Sequence, residues 1–115
     1  MDIFPTLLAL TSALSPADVE VDGVNLLPVL LEGKKLPGRK LFWSYERREN
    51  QGEKVVREGP WKLYIRGEEK HLFNLAEDLG EQNNLIAAYP EWVRTMEAAF
   101  AQWYEEVTAG VGWLA

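Results

Sequence analysis

A group of basic side chains beside two tyrosines forms the residue set best suited to bind a ligand in this sequence. Forked guanidinium donors next to an aromatic wall suit a sulfate, carboxylate or phosphate group. Cross-strand pairing of the cations with nearby glutamates is the simpler interpretation, and the sequence favours it. The residues are Arg47, Arg48, Arg57, Lys62, Arg66, Tyr45 and Tyr64, and the glutamates are Glu46, Glu49, Glu53 and Glu58.

Other side chains that could react are few. His71 is the only histidine, and a general base would need a nucleophile or metal ion that the neighbouring sequence does not offer. Glu77, Asp78 and Glu81 stand close together, but their spacing is not that of an EF-hand, so a structural turn is favoured over a cation site. The absence of cysteine excludes a thiolate nucleophile and a sulfur-ligated zinc site.

Length and charge narrow the classes of protein further. The chain has 115 residues, enough for one domain, and its formal net charge of -6 argues against nonspecific nucleic-acid binding. The apolar stretch over residues 1–14 lacks the positively charged start of a signal peptide and is too short to span a bilayer. We therefore expect no nucleic-acid or membrane partner and an internal helix at this position, and the compartment stays unknown.

Two helices are predicted in the first third of the chain. Asp2 is placed to cap the first helix, Pro5 lies in its first turn, and its apolar residues continue to Leu14. The second helix covers residues 25–31, and Gly33 supplies its C-terminal cap. Because the first helix is apolar on more than one side, we expect part of its surface to need a packing partner.

From residue 41 the apolar period changes to two, which is typical of strands. Four strands are predicted, over residues 41–45, 54–57, 61–66 and 71–75, and the turn signals between them favour an antiparallel meander. Pro90 then opens a strongly amphipathic helix. The predicted fold is α+β: a four-stranded antiparallel sheet packed by a C-terminal amphipathic helix, with two N-terminal helices.

Four segments, in this order, resemble the C-terminal end of the sulfatase (arylsulfatase) family of the alkaline phosphatase superfamily. Each is weakly specific alone, but together they extend over nearly the whole chain. They are Asp2-Ile3-Phe4-Pro5-Thr6-Leu7-Leu8, Asp22-Gly23-Val24-Asn25-Leu26-Leu27-Pro28-Val29-Leu30, Arg57-Glu58-Gly59-Pro60-Trp61-Lys62-Leu63, and Leu72-Phe73-Asn74-Leu75 followed by Asp78, Gly80, Glu81, Asn84 and Leu85. One departure is the acidic turn, which is Asp-Pro in the family and Asp78-Leu79 here.

The resemblance implies a division of the chain and an activity for its parent. Residues 1–33 resemble the end of the sulfatase catalytic domain, and residues 34–115 resemble the C-terminal subdomain. In the family, sulfate esters are hydrolysed by a formylglycine made from a C/S-x-P-x-R motif and by a divalent cation, usually calcium, held in the larger N-terminal domain. Since Ser15-Pro16-Ala17 lacks the rest of that motif, no catalytic or metal residue is assigned here, and both cofactors are expected in a missing domain.

Three hypotheses about function follow. The first is a C-terminal portion of a sulfuric ester hydrolase, inactive alone and partnered by the missing catalytic domain. The alternative is a free-standing assembly or interaction module, a homo-oligomer that self-associates through Phe4, Leu7 and Leu8 of the first helix. The third is a substrate-rim or anion-binding role for the aromatic and basic set. Its residues are Tyr45, Arg47, Arg48 and Arg57.

Overall fold

The computed structural model describes residues 1–15, 17, 20–45 and 52–109. Contacts divide the chain into two compact units, Met1–Pro37 and Gly38–Ala115. The helices and strands of these residues are α1 (Ile3–Thr11), α2 (Leu27–Glu32), β1 (Lys40–Tyr45), β2 (Glu53–Glu58), β3 (Trp61–Arg66), β4 (Glu69–Asn74) and α3 (Pro90–Thr108). Within these residues, no helix combines the length and apolar character that crossing a membrane requires.

In the first unit, α1 is shorter than predicted. Ser12 adopts a left-handed backbone with φ of 54°, and its N–H bonds back to the helix, so α1 ends before Leu14. The expectation that Asp2 caps α1 is also wrong, because its side chain makes no capping hydrogen bond. The Asp2 carboxylate instead accepts a hydrogen bond from the backbone N–H of Val24 at 3.1 Å. The side chain expected to start the helix therefore ties it to the segment before α2.

Two further features allow residues 23–26 to pack closely against the start of α1. The Thr6 hydroxyl accepts a hydrogen bond from the N–H of Leu26 at 2.9 Å and donates one to the Asp2 carbonyl at 2.6 Å. At Gly23 a side chain is excluded, since an added Cβ would lie 2.3 Å from the carbonyl oxygen of Met1. Helix α2 follows and ends at Gly33, whose φ of 65° confirms the predicted glycine cap.

In the second unit, the four strands form a meander in the order β1-β2-β3-β4, with every neighbouring pair antiparallel. Two-residue turns join the last three strands, and Gly59 supplies the positive φ of 55° that the first of them needs. This confirms the predicted α+β fold and its sheet.

Helix α3 covers one side of this sheet, here called the inner face. Register places Phe42, Val56, Leu63 and Leu72 in one row across the four strands. Val56, Leu63 and Leu72 are buried there with three residues from the apolar stripe of α3. Those residues are Val93, Met96 and Phe100. The period-two and helical patterns therefore meet in one core, as the sequence predicts.

Candidate functional site

The side of the sheet opposite α3, here called the outer face, carries most of the candidate residues of the second unit. Because side chains alternate along a strand, the neighbours of the inner-face residues point to this side. Two rows cross it in register. They are Trp43, Val55, Tyr64 and His71, and Leu41, Arg57, Lys62 and Phe73.

Two of the four predicted rim residues lie on the outer face. Tyr45 ends β1 and is 60% exposed, and Arg57 is exposed in the middle of the sheet, opposite Leu41. Tyr45 lies four positions beyond Leu41 on β1, which corresponds to about 13 Å along the strand. The Trp43–Val55 pair lies between them, so Tyr45 and Arg57 share a face without forming a cluster. Arg47 and Arg48 lie outside the described residues.

A shallow depression of about 420 Å³, here called the outer groove, opens on this face. Its apolar lining includes Trp43, which is 49% exposed, and Leu79, which is 83% exposed and comes from the loop after β4. Sequence reasoning missed both residues as site candidates. The signal for Leu79 is present in the sequence, since it is an apolar residue inside the polar run over residues 77–82. The full lining is Trp43, Val55, Leu75, Leu79, Arg57, Lys62 and Glu81.

The polar side of the outer groove contains unequal numbers of cations and carboxylates. Arg57 and Lys62 are direct cross-strand partners on β2 and β3. The Lys62 ammonium pairs with the Glu81 carboxylate at 2.7 Å. Among the described residues no carboxylate pairs with Arg57, whose Nε donates a long hydrogen bond of 3.5 Å to the Gly59 carbonyl. Like charges directly opposite one another destabilise a strand pair, so this arrangement favours an incoming negative group.

The acidic loop predicted beside the sheet is a structural turn. The Asp78 carboxylate accepts a hydrogen bond from the N–H of Asn83 at 2.7 Å. This bond, followed by one from the N–H of Gln82, holds the pKa of Asp78 below its ordinary value. Glu81 is already paired with Lys62. Within the described ranges no three His, Asp or Glu side chains come together in a way that could hold a metal ion.

His71 lies beside the point where the same loop is attached to the sheet. Its Nδ1 lies 3.2 Å from the amide nitrogen of Asn84, and its ring stacks on Phe73 with centroids 6.0 Å apart. The Asn84 side-chain oxygen accepts hydrogen bonds from the N–H groups of Leu72 and Ile86. Asn84 therefore anchors the loop to β4, and the histidine packs beside that anchor.

The predicted self-association residues lie on α1, in the first unit. Phe4, Leu7 and Leu8 recur at three- and four-residue steps, so they share one side of the helix. Phe4 is 50% exposed, Leu7 is 52% exposed and Leu8 is partly buried. No residue of α1 is fully buried. The helix therefore keeps the apolar surface that its sequence predicts.

Comparison with known proteins finds similarity to sulfatases, both in sequence and in structure. No family model matches the chain. The chain is 34% identical to a sulfatase of Formosa agariphila over 78% of its own length and 19% of that relative, and 33% identical to arylsulfatase A of Bos taurus over 79% and 22%. A solved 2-O GAG sulfatase superposes with a TM-score of 0.66 and 26% identity, over 95% of this chain and 25% of that one. The chain thus spans about one fifth of the length of the relatives that it matches.

Proposed function

This chain is similar to the C-terminal portion of sulfatases, and from that premise we propose its function. We propose that the chain completes a sulfuric ester hydrolase whose reacting groups lie in a larger catalytic portion. The observation that carries the proposal is the similarity itself, which extends over 78% of this chain but only 19% of the Formosa agariphila sulfatase. A segment that forms a fifth of a complete enzyme has a natural partner in the other four fifths. We therefore propose that this chain alone does not turn over sulfate esters.

The family cofactors support this assignment because they do not fit the residues of this chain. A formylglycine requires a cysteine or serine in a C/S-x-P-x-R motif, and the chain has neither the motif nor any cysteine. The carboxylates nearest to a calcium-like cluster are engaged elsewhere, Asp78 with a backbone N–H and Glu81 with Lys62. No step of the reaction is therefore assigned to these residues.

The test is sulfate release from an aryl sulfate ester by the purified 115-residue chain, with and without added calcium. We expect no release above the buffer rate in either condition. Bovine arylsulfatase A in the same assay is the positive control. A rate that follows the chain through purification and disappears with a chelator would show that the chain has its own reacting groups.

The exposed side of α1 supports a second candidate, an assembly module that forms a homo-oligomer. Phe4 and Leu7 are each about half exposed, and apolar patches of this kind are commonly covered by another chain. Light scattering over a dilution series tests it. A discrete dimer that a Phe4→Ser, Leu7→Ser double variant converts to monomer favours self-association, and a monomer at every concentration excludes it.

The predicted rim residues support a third role, contact with a sulfated ligand beside the end of β1. Tyr45 is exposed there, and Arg47 and Arg48 follow it in the sequence. Titration with a sulfated oligosaccharide at low salt is the measurement, because salt screens such contacts. We expect saturable binding that Arg47→Ala weakens more than Arg57→Ala, since Arg57 lies about 13 Å along the strand direction from Tyr45.

A further inference from the structure

An open cavity of about 530 Å³, here called the end pocket, lies where the inner face of the sheet meets the start of α3. Register places Lys40, Glu58 and Trp61 next to one another at this end of the sheet. Trp92, from the first turn of α3, also lines the end pocket. The volume is within the range of about 300 to 1,000 Å³ that is usual for small-molecule sites.

Two buried side-chain atoms of residues lining the end pocket have no hydrogen-bond partner within the described part of the chain. They are Nε1 of Trp92, which is a donor, and Oε2 of Glu58, which is an acceptor. The Lys40 ammonium lies 3.6 Å from this Glu58 oxygen, which is too far for a hydrogen bond. A buried polar group without a partner costs stability, so most such groups in native proteins bind water or a ligand. A ligand that supplies one acceptor and one donor here would remove both costs.

The charges of the end pocket favour a neutral ligand. Arg39 and Lys40 line it together with Glu58. An anion would therefore lie near a carboxylate, and a cation would lie near two basic side chains. A hydroxyl group fits this setting because it can both donate and accept hydrogen bonds, so one group can serve Glu58 and Trp92 together.

Two tryptophans give the end pocket an apolar surface that is fixed in position. Trp61 and Trp92 are partly buried and pack against the core of the sheet unit. The Trp61 ring also packs edge-on against Tyr89, with ring centroids 4.9 Å apart. This packing holds the indole in place before a ligand arrives, which lowers the cost of binding. Such rings bury the C–H face of a sugar, while polar groups at the border bind its hydroxyls.

We infer that the end pocket, built from Glu58, Trp61 and Trp92, binds a neutral, unsulfated saccharide. A sugar hydroxyl accepts a hydrogen bond from the Trp92 indole and donates one to Glu58, while the ring packs on Trp61. Both protein atoms are almost fully covered in this structure, so binding includes a small side-chain movement. The end pocket lies at the start of β1, about 17 Å along the strand from Tyr45 of the predicted rim. The inference is independent of the proposed function.

The experiment titrates the full 115-residue chain, isotope-labelled in its tryptophan indoles, with cellobiose, lactose and N,N′-diacetylchitobiose. The indole N–H signals of the five tryptophans are followed by NMR. We expect at least one disaccharide to shift the signals of Trp61 and Trp92 saturably at millimolar concentration. The signal of Trp43, which lies on the outer face, should not move.

One substitution tests the indole donor directly. Trp92→Phe removes the N–H but keeps an aromatic ring, so it should weaken binding about fivefold. The matched control is Trp43→Phe, the same substitution outside the end pocket, which should leave the affinity unchanged. Circular dichroism of each variant verifies the fold. Since the titration uses the unaltered chain, it decides the question even if Trp92→Phe fails to fold.

Three results would overturn the inference. With no saturable shift at Trp61 or Trp92 for any of the three disaccharides, bound water would be the partner of the two buried atoms. Shifts with sodium sulfate, and with no disaccharide, would identify an anion site. Equal affinities of Trp92→Phe and the unaltered chain would contradict the role of the indole donor. None of these results concerns sulfate release, so the proposed function is tested separately.

Discussion

The N–H of Val24 donates a hydrogen bond to Oδ1 of Asp2 at 3.1 Å, across 22 residues of chain. This contact joins two of the segments that resemble sulfatases, and Thr6 strengthens the join by accepting from the N–H of Leu26. Gly23, which directly precedes Val24, lies where an added side chain would collide with the Met1 carbonyl. The separate motifs of the sequence are thus parts of one hydrogen-bonded arrangement.

Replacing Thr6 by valine should loosen this arrangement. The change removes the acceptor for the Leu26 N–H and should weaken local stability by about 1 to 2 kcal/mol. Hydrogen exchange of the Leu26 amide should then be about tenfold faster or more. Thr11→Val is the matched control, because the Thr11 hydroxyl bonds only to carbonyl groups of its own helix. Equal effects of the two substitutions would contradict a role specific to Thr6.

Asn84 should contribute more to the stability of the sheet unit than its exposed position suggests. Its side-chain oxygen serves the N–H groups of both Leu72 and Ile86, so Asn84→Ala should lower the free energy of unfolding by about 2 kcal/mol. Gln82→Ala is the control, since that amide bonds only to the nearby Gly80 carbonyl. It should change stability by less than about 0.5 kcal/mol. Urea unfolding followed by tryptophan fluorescence gives both values.

Acid should weaken the loop that holds Asp78. Its pKa is lowered in the folded chain, so its contribution is present above the unfolded pKa of about 4 and is lost as pH falls through the lower folded value. Unfolding free energies measured between pH 5 and pH 2 should fall more steeply for the unaltered chain than for Asp78→Asn. Parallel pH profiles for the two proteins would show that the carboxylate makes no such contribution.

Because Arg57 and Lys62 are cross-strand neighbours of like charge, substitutions at this position should change stability in a predictable order. Glu81→Gln leaves two cations opposite each other and should cost about 0.5 kcal/mol, because the pair is only partly buried. Adding Arg57→Gln should recover part of this loss by removing the repulsion. Urea unfolding at low and at high salt measures both effects, and salt should reduce them. No recovery in the double variant at low salt would mean that the two cations do not interact.

Much of the fold was readable from the sequence because its patterns are local. The alternation at Trp61, Leu63 and Ile65 identified a strand with one buried side, and the stripe through Val93 and Met96 identified the helix that covers it. The sequence places the end of α1 too late, at Leu14, because the left-handed backbone of Ser12 that ends the helix is typical of glycine and not of serine.

The site was harder to predict because its contacts are distant in sequence. Asp2 looked like a helix cap, and its actual donor, Val24, is 22 residues away. Leu79 lines the same groove as Trp43 although 36 residues separate them in the sequence, and the loop that contains Leu79 returns to the sheet at Asn84. Of the predicted rim residues, Tyr45 and Arg57 lie on the same face of the sheet, but the strand register places them far from each other. Local periodicity contains no information about such distances.

The central claim, that this chain is the C-terminal portion of an enzyme whose chemistry lies elsewhere, is tested most directly by a chimera. In it, the chain replaces the matching segment of the Formosa agariphila sulfatase, and sulfate release is compared with that of the 115-residue chain and of the sulfatase lacking the segment. We predict release from the chimera and none from the chain alone. A folded chimera without activity, or release from the chain by itself, would contradict the account.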